Sequence, residues 1–462
     1  MRKGYLHSVM ELLWKALLSL KAEVPPREIE YIAVLVHNIM CQRSRLYHSI
    51  EHVFSFLNTT DPIVTLAAIF HDLIYLHVDE GLPPEAHQLF APYLRIEGTR
   101  IHPLACEKKS ETVELVCTLF GRSPERIDTP IKGINEFLSG LTFSLTLGKY
   151  VSRIHQAAVL LCIEATIPFR GTNEEGKAVG EVLFERSRKL FVQAEESLLH
   201  SLVERAIQFG NQDVMDFANL DTAAFLSNTW KLLPETNQAL LQKGAFTIKQ
   251  YRKALQGMLG FFRSLNPETI YHSYRGKPDT TTIQSYVQRA RKNLTLSIQY
   301  LRAKLLATAV LEALAELTGG DAPMALFMGD ADSRISEAQE ETYCITQLLP
   351  EAKEVPWIDE THPVVSLLRD GRLEESSFDL RNSPLALWLY RRLRPEEWRK
   401  LADQMEAYFA GNLSASQFLS FFPKSTESPM QGLLGELIQA GGKIIPTRRE
   451  AFDDLLSKGV QP

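Results

Sequence analysis

The stretch TLAAIFHDLIYL, residues 65–76, places a histidine and an aspartate side by side within a run of apolar residues. The apolar residues recur three and four positions apart, which predicts a helix. An ionised aspartate is rarely buried without a partner, so Asp72 requires hydrogen-bond donors or a counter-charge. A divalent transition metal would supply that charge, and imidazole with carboxylate suits Mn, Fe, Ni or Zn. The stretch therefore predicts either a structural His71–Asp72 pair or a metal site.

A second histidine pattern precedes this stretch. LYHSIEHV, residues 46–53, places His48 and His52 four positions apart. If this segment is helical, both side chains lie on one face and can enter one pocket. A solvated pair on a helix surface is the alternative. The nearby His71–Asp72 pair favours the metal site.

The helical period dominates the rest of the chain. Apolar residues lie three and four apart in residues 27–40, 155–166, 187–209 and 281–317. Clustered Pro and Gly interrupt the period, and residues 81–103 are predicted to be a loop-rich insertion. Strand alternation and Asn-Gly hairpin signals are lacking. We predict an all-α protein with an N-terminal helix (1–24), a metal-binding domain (25–235) and a C-terminal helical region of unknown role (236–462).

The composition narrows the class of protein. The chain has 462 residues, 45% of them hydrophobic and 23% charged, with a formal net charge of −6. This balance is typical of globular proteins and gives no basic signal for nucleic acid, so we expect no nucleic-acid partner. Apolar runs fall short of the roughly 20 residues that span a bilayer. The five cysteines never form a CxxC pair, so we expect a soluble, cytoplasmic protein with reduced thiols.

The two histidine patterns together resemble a known family. A histidine followed by an HD pair and a distant aspartate is the signature of the HD superfamily of metal-dependent phosphohydrolases. YHSIEH, residues 47–52, resembles the YHNxxH segment of the cyclic-nucleotide phosphodiesterases in that superfamily. It is also similar to small bacterial HD proteins in which HD is followed by an aliphatic residue and Tyr. The resemblance covers about the first 235 residues and implies an HD-domain helical bundle. Ser49 replaces the Asn of the phosphodiesterase segment, which puts cyclic-nucleotide specificity in doubt.

The resemblance assigns roles to the residues that match its motifs. In this superfamily the second histidine of the first segment, the HD pair and a late aspartate bind the metal. These positions correspond to His52, His71 and Asp72 here. His48 is then a nearby histidine outside the ligand set, suited to donate a proton to the leaving oxygen.

The late aspartate is expected in residues 206–221. Asp213 is the first choice, because Asn-x-Asp-Val resembles the late acidic motif of the superfamily. Asp216, about one helical turn further on, is the second choice, and Asp221 is the third.

Four further residues are predicted to bind the substrate. Arg170 follows a helix break at Pro168 and can grip a phosphate with two hydrogen bonds, or it can cap the helix instead. Glu164 can orient a ligand histidine, although a buried glutamate bonded to backbone is the common alternative. Asn135 and Glu136 are polar groups that can line the same cavity.

The predicted function is hydrolysis of a phosphomonoester or phosphodiester, with a small nucleotide-like substrate and no membrane partner. Two alternatives stay open. A di-iron HD oxygenase requires further histidine ligands, for which His102 and His155 are preferred over His77 and His87. A degenerate HD domain would instead serve as a regulatory or protein-binding module.

Overall fold

The secondary structure is almost entirely helical. The computed structural model describes residues 4–56, 60–97, 100–103, 110–123, 132–242, 245–328, 344–352, 355–423 and 432–460. Helices account for 67% of the chain and strands for 2%, so the predicted all-α class is confirmed. The chain divides into two compact units. The first unit comprises Met1–Asn219 and Leu265–Arg291, and the second comprises Leu220–Ser264 and Lys292–Pro462. The predicted division into 1–24, 25–235 and 236–462 rests on the sequence alone and stays a prediction.

The first unit contains ten helices and one hairpin among its described residues before position 219. They are α1 (Tyr5–Ser19), α2 (Pro26–Met40), α3 (Ile50–Ser55), α4 (Pro62–Phe70), α5 (Pro84–Phe90), β1 (Leu94–Glu97), β2 (Arg100–Pro103), α6 (Glu111–Leu119), α7 (Ile134–Leu147), α8 (Arg153–Ala165), α9 (Val179–Leu190) and α10 (Glu196–Asp213). Helix α8 packs against α4, α7 and α10, while α1 packs against α2 and α4.

The second unit is also built from helices. They are α11 (Thr222–Trp230), α12 (Leu232–Thr236), α13 (Ile248–Ser264), most of α14 (Thr280–Thr318), α15 (Met324–Met328), α16 (Pro363–Arg369), α17 (Pro384–Arg392), α18 (Pro395–Phe409), α19 (Ala415–Ser420), α20 (Leu433–Ile444) and α21 (Arg449–Lys458). Among the described residues, no helix has both the length and the apolar character needed to cross a bilayer.

Helix α4 is largely buried within the first unit. Its N-terminus is fixed by Asp61, whose Oδ1 accepts the N–H groups of Ile63 and Val64, and by Pro62 at the first helical position. Seven of its nine residues are buried, because apolar side chains face every direction. The helix ends at Phe70, so His71 and Asp72 lie at its C-terminal end and not within it.

The hairpin lies in the segment predicted to be a loop-rich insertion. Residues 81–103 include α5 and the antiparallel pair β1–β2, in which Leu94 faces Pro103 and Glu97 faces Arg100. The prediction of an irregular segment is therefore wrong here. Strands of four residues are too short for their alternation to stand out from the surrounding pattern.

Close packing of α8 and α10 depends on a glycine. A Cβ atom built on Gly210 would lie 2.5 Å from the carbonyl oxygen of Ala165, so a side chain there would push the two helices apart. Gly210 lies one turn before the end of α10, where Asp213 is located. The absence of a side chain therefore lets the end of α10 approach the core of the first unit.

We expect Gly210→Ala to lower the free energy of unfolding by about 1–3 kcal/mol, because the added methyl group meets backbone that cannot rotate away. Gly257→Ala is the matched control. Gly257 also lies inside a helix, α13, but a Cβ there would meet nothing within 4 Å. This control should gain up to about 1 kcal/mol from improved helix propensity. Urea unfolding of both variants measures the difference, and equal effects would contradict the packing argument.

Candidate metal centre

Four predicted residues meet at one point of the first unit. One ligand atom from each of His52, His71, Asp72 and Asp213 lies within 4.8 Å of the others, a grouping that could hold a metal ion. His52 comes from α3, the His71–Asp72 pair follows α4, and Asp213 is the last residue of α10. The fold thus brings His52 into contact with Asp213, although the two residues are 161 positions apart in sequence. We call these four residues the His-Asp cluster.

Each contact inside the cluster joins a histidine nitrogen to a carboxylate oxygen. His52 Nε2 lies 3.1 Å from Asp213 Oδ1 and 3.6 Å from Asp72 Oδ2. His71 Nε2 lies 3.1 Å from Asp72 Oδ2 and 3.5 Å from Asp213 Oδ1. Two imidazoles and two carboxylates therefore converge their ligand atoms on one small volume.

The ends of two helices increase the negative potential at the cluster. Helix α4 ends immediately before His71, and α10 ends at Asp213. The C-terminal end of a helix carries a partial negative charge, because its last carbonyl groups lack intrahelical partners. Two carboxylates and two helix ends together favour a cation at this place.

The orientation of His71 fits a metal ligand. The ring is fully buried, and its Nδ1 lies 2.9 Å from the carbonyl oxygen of Ala68, to which an Nδ1–H donates. Its Nε2 is buried and makes no hydrogen bond with any residue in the described part of the chain. A histidine that donates one ring N–H to a carbonyl and leaves the other nitrogen facing carboxylates is arranged as metal-binding histidines are. The donor set therefore fits a divalent ion.

The pKa values show how strongly the cluster favours positive charge. Burial by itself lowers the pKa of His71, but the charge of Asp72 and the contact with Asp213 outweigh it and raise that pKa well above its usual value. Burial raises the pKa of Asp72, yet the charge of His71 reverses this and leaves the value lowered. The pKa of Asp213 is lowered in the same way, by His52 and His71 against burial. The carboxylates therefore stay ionised and attract a proton or a metal cation.

Aromatic rings enclose the two histidines. The ring of Phe56 lies 5.1 Å from both His52 and His71, and that of Phe209 lies 5.8 Å from His71. Phe56 and Phe209 are both buried. A wall of this kind excludes water and strengthens the electrostatic interactions inside it.

A buried arginine holds the backbone of the HD pair. Arg45 donates from Nη1 to the carbonyl oxygen of Asp72 at 2.6 Å and from Nη2 to that of Leu73 at 3.0 Å. Its charge is balanced by Asp79, which accepts from Nε at 2.9 Å and from Nη2 at 2.6 Å. Both side chains of this pair are almost completely buried. The chain that leaves the cluster is therefore fixed on one side by Arg45.

The first turns of α7 fix the same chain on the other side. Asn135 Oδ1 accepts the N–H of Leu76 at 3.1 Å, and Ser139 Oγ accepts that of Ile74 at 3.0 Å. Asn135, predicted to bind the substrate, thus supports the backbone beyond the HD pair with its side-chain oxygen. Helix α7 is placed directly beside the cluster by these two bonds.

Glu164 and Arg170, also predicted to bind the substrate, pair with each other. Arg170 donates to Glu164 Oε1 at 2.8 Å and Oε2 at 3.0 Å, and to the carbonyl oxygens of Glu164 and Ile167. Arg186 donates to Glu164 Oε1 as well, at 2.8 Å. Arg170 therefore caps the C-terminal end of α8, and the buried Glu164 is neutralised by two arginines and does not orient a ligand histidine through these bonds.

Glu136 lies within electrostatic reach of both the cluster and these arginines. Burial raises its pKa most, the charges of Asp72 and Asp213 also raise it, and Arg170 opposes the increase, so that the pKa of Glu136 is about 7. Glu136 is thus partly protonated near neutral pH. Its pKa is affected both by the His-Asp cluster and by Arg170.

His48 does not share a helix with His52, as the spacing suggests. Helix α3 begins at Ile50 with Ser49 as its N-cap, so His48 precedes it. The ring of His48 packs 4.2 Å from that of Tyr75, and its charge is one of those that lower the pKa of Asp72. The expectation of one helical face is wrong, but His48 still lies near the cluster.

The other candidates for the site have different placements. Asp216 accepts a hydrogen bond from Asn219 at 3.2 Å, and Asp221 is the N-cap of α11 in the second unit. His155 lies in the first turn of α8 and is not part of the His-Asp cluster in the described chain. His102 lies on β2, opposite Arg95, and its side chain is outside the described part of the structure.

The sequence patterns did not reveal the supporting residues. Arg45 lies three positions before His48 and Asp79 lies seven positions after Asp72, so a charged residue on each side of the histidine motifs is the only available signal. Arg122 and Lys132 carry no motif that distinguishes them from surface residues, whereas the stretch around His272 could equally be a phosphate contact or a solvated loop. Their environment becomes visible only in three dimensions.

Neither a family model, nor a curated protein, nor a solved structure matches the chain. The resemblance to the HD superfamily therefore rests on residues 46–53 and 65–76 and stays a prediction. The geometry of the His-Asp cluster supports a candidate metal site independently of that resemblance.

The segment around His272 is tied to the cluster's own helix. Asn211 of α10 accepts the N–H of His272 at 2.8 Å and donates to its carbonyl oxygen at 2.7 Å. Burial lowers the pKa of His272 to about 4, and the positive charges of Arg170 and Lys132 act in the same direction. His272 is therefore neutral in the folded protein at neutral pH.

This lowered pKa predicts a pH-dependent stability. An unfolded histidine has a pKa of about 6.5, so between about pH 6.5 and pH 4 the unfolded chain binds a proton that the folded chain does not. The contribution of neutral His272 is present above about pH 6.5 and is lost as the pH falls through this window, by at most about 3 kcal/mol. We expect His272→Gln to remove this slope when urea unfolding is compared with wild type from pH 7 to pH 4. A constant difference between the two proteins across that range would contradict the prediction.

Proposed function

We propose that the first unit is a metal-dependent phosphohydrolase of the HD type, acting on a phosphomonoester or phosphodiester of a small, nucleotide-like molecule. One observation carries the proposal. The fully buried His71 turns an unbonded Nε2 toward two carboxylates and a second imidazole, within a group whose ligand atoms lie within 4.8 Å. A buried polar atom without a hydrogen bond is costly, and a metal ligand bond would satisfy it.

The residues favour a transition metal over Mg²⁺ or Ca²⁺. His52 and His71 offer nitrogen, and Asp72 and Asp213 offer oxygen, which suits Mn, Fe, Ni or Zn. Such an ion, when bound, polarises a phosphoryl oxygen and lowers the pKa of a coordinated water. The chain itself supplies rigidity: the bond from His71 to Ala68 fixes one ring, and Arg45 fixes the backbone of Asp72.

We propose His48 as the group that donates a proton to the leaving oxygen. It is half-buried, stands outside the four-residue group and interacts electrostatically with Asp72. A histidine exchanges protons near neutral pH, which suits this role. Contact with Tyr47 and Tyr75 positions the ring.

Metal content tests the site directly. We expect near-stoichiometric transition metal in the purified wild-type protein by elemental analysis, and more than about a 100-fold loss of affinity in Asp213→Asn. Asp216→Asn is the matched control, because Asp216 lies three residues further on and bonds to Asn219. Equal metal content in the two variants would contradict the role of Asp213.

Two irons per chain in the wild-type protein would favour the oxygenase instead. If the wild-type protein holds no metal after Mn, Fe, Ni and Zn are supplied, a binding module is the remaining function.

Turnover tests the reaction. We expect the wild-type protein to hydrolyse p-nitrophenyl phosphate or bis(p-nitrophenyl) phosphate, and Asp213→Asn to be inactive. We expect His48→Gln to retain its metal but to lose about 10²–10⁴-fold in kcat, because only proton transfer is removed. Retained activity in the metal-depleted variant Asp213→Asn would overturn the metal-dependent mechanism. Unchanged kcat in His48→Gln would overturn the assignment of His48 alone.

A further inference from the structure

A group of basic side chains lies around the beginning of α7, the helix whose Asn135 and Ser139 bond to the chain after the HD pair. Arg122 and Lys132 flank the beginning of α7, and Arg170 and Arg186 meet at Glu164. Arg122 donates to the carbonyl oxygen of Lys132 at 3.0 Å, and Lys132 donates to that of Phe169 at 2.8 Å. We call these residues the basic cluster: Arg122, Lys132, Arg170 and Arg186.

The basic cluster carries more positive charge than its described neighbours neutralise. Glu164 accepts from both Arg170 and Arg186, so a single carboxylate serves two guanidinium groups. The second acid that acts on the cluster is Glu136, whose pKa is raised to about 7. Four cations therefore face one ionised and one partly protonated carboxylate. Such an excess, partly removed from water, favours an anionic ligand.

Arg122 forms no ion pair with a carboxylate among the described residues. Its guanidinium lies 5.2 Å from the ring centre of Phe137, and its one hydrogen bond among the described residues goes to a neutral carbonyl group. Its Nε is buried and lacks a hydrogen-bond partner in the described structure. A guanidinium that packs on a ring and keeps one N–H without a partner can donate that hydrogen bond to an anion.

The pKa values of two neighbouring groups are consistent with a positive potential at the basic cluster. Burial lowers the pKa of Lys132, and the charge of Arg170 lowers it further. The pKa of His272 is lowered by burial and then by the same arginine. Both groups thus resist taking up or keeping another positive charge.

The basic cluster and the His-Asp cluster are joined by α7. Asn135 and Ser139 hydrogen-bond to the chain that follows the HD pair. The pKa of Glu136, which lies between them in sequence, is affected by the charges of Asp72, Asp213 and Arg170. The first turns of α7 therefore connect the chain that follows the HD pair with the basic cluster.

We propose that the basic cluster binds a second phosphate of the substrate, which makes the substrate class a small molecule with at least two phosphate groups. This inference rests on the proposed function, since it takes the His-Asp cluster as the place where the other phosphate reacts. Arg122 is the central residue, because the remaining arginines are already paired with Glu164. Lys132, an exposed residue, contributes an ammonium group that also donates to the carbonyl oxygen of Phe169.

Binding of imidodiphosphate, a non-hydrolysable analogue with two phosphates, tests the proposal on the full-length protein by isothermal titration calorimetry. We expect the wild-type protein to bind it more tightly than orthophosphate. Arg122→Gln should weaken this binding about tenfold or more, since a charge-assisted hydrogen bond is lost. Lys132→Gln serves as a second variant, because its exposed side chain can be replaced without disturbing the core.

Arg188→Gln is the matched control. Arg188 lies on α9 of the same unit, is exposed and contacts Glu196 at 3.4 Å, so the variant removes one positive charge away from the basic cluster. The proposal is overturned if wild type does not prefer imidodiphosphate to orthophosphate, or if the cluster variants bind imidodiphosphate as tightly as the control does.

Binding is measured without turnover, so hydrolysis of p-nitrophenyl phosphate by a protein that fails this test would leave the proposed function intact. Arg122-dependent binding without any hydrolysis would remove the proposed function alone.

Discussion

The first unit is organised around an electrostatic conflict at the ends of two helices. Asp72 and Asp213 have ligand atoms within 4.8 Å of each other, and each follows or ends a helix whose last carbonyls add negative potential. Two carboxylates this close, largely shielded from water by aromatic rings, cannot both stay ionised without positive charge between them. His52 and His71 supply that charge if protonated, and a divalent cation supplies it if they are neutral. The stability and the proposed chemistry of this unit both depend on how that conflict is resolved.

The surrounding structure holds these groups in place by neutral bonds and by ion pairs that are balanced separately. Arg45 binds the backbone of Asp72 but is neutralised by Asp79, so its charge does not compete for the carboxylate of Asp72. Asn135 and Ser139 bind the same chain without any charge. Buried ion pairs contribute little net stability, since desolvation offsets their attraction, so the value of the Arg45–Asp79 pair lies in fixing geometry. This separation leaves the carboxylates of the His-Asp cluster available to a cation.

Charge is distributed along α7 in a way that suits a phosphorylated ligand. Asn135 and Ser139 in its first turns bond to the chain that follows the HD pair, and Glu136 in the same turns interacts electrostatically with Asp72, Asp213 and Arg170. In the proposed reaction the acidic side holds the metal and the basic side holds a phosphate that does not react. Interactions with a remote part of the substrate orient the reacting group, which lowers the barrier by fixing position before the reaction begins.

The sequence by itself determined the helical class, because helical periodicity is a local property of the chain. It also determined the residue types of the site, because an aspartate within an apolar run requires a partner that balances its charge. It also pointed to His52, His71, Asp72 and Asp213, which the structure brings together. Tertiary structure decided the rest. His48 stands before α3 and not on it, since the N-cap at Ser49 depends on backbone conformation that spacing does not encode. Glu164 pairs with Arg170 and Arg186, and Arg45 with Asp79, because ion pairs depend on distance in space, which the order of residues along the chain does not specify.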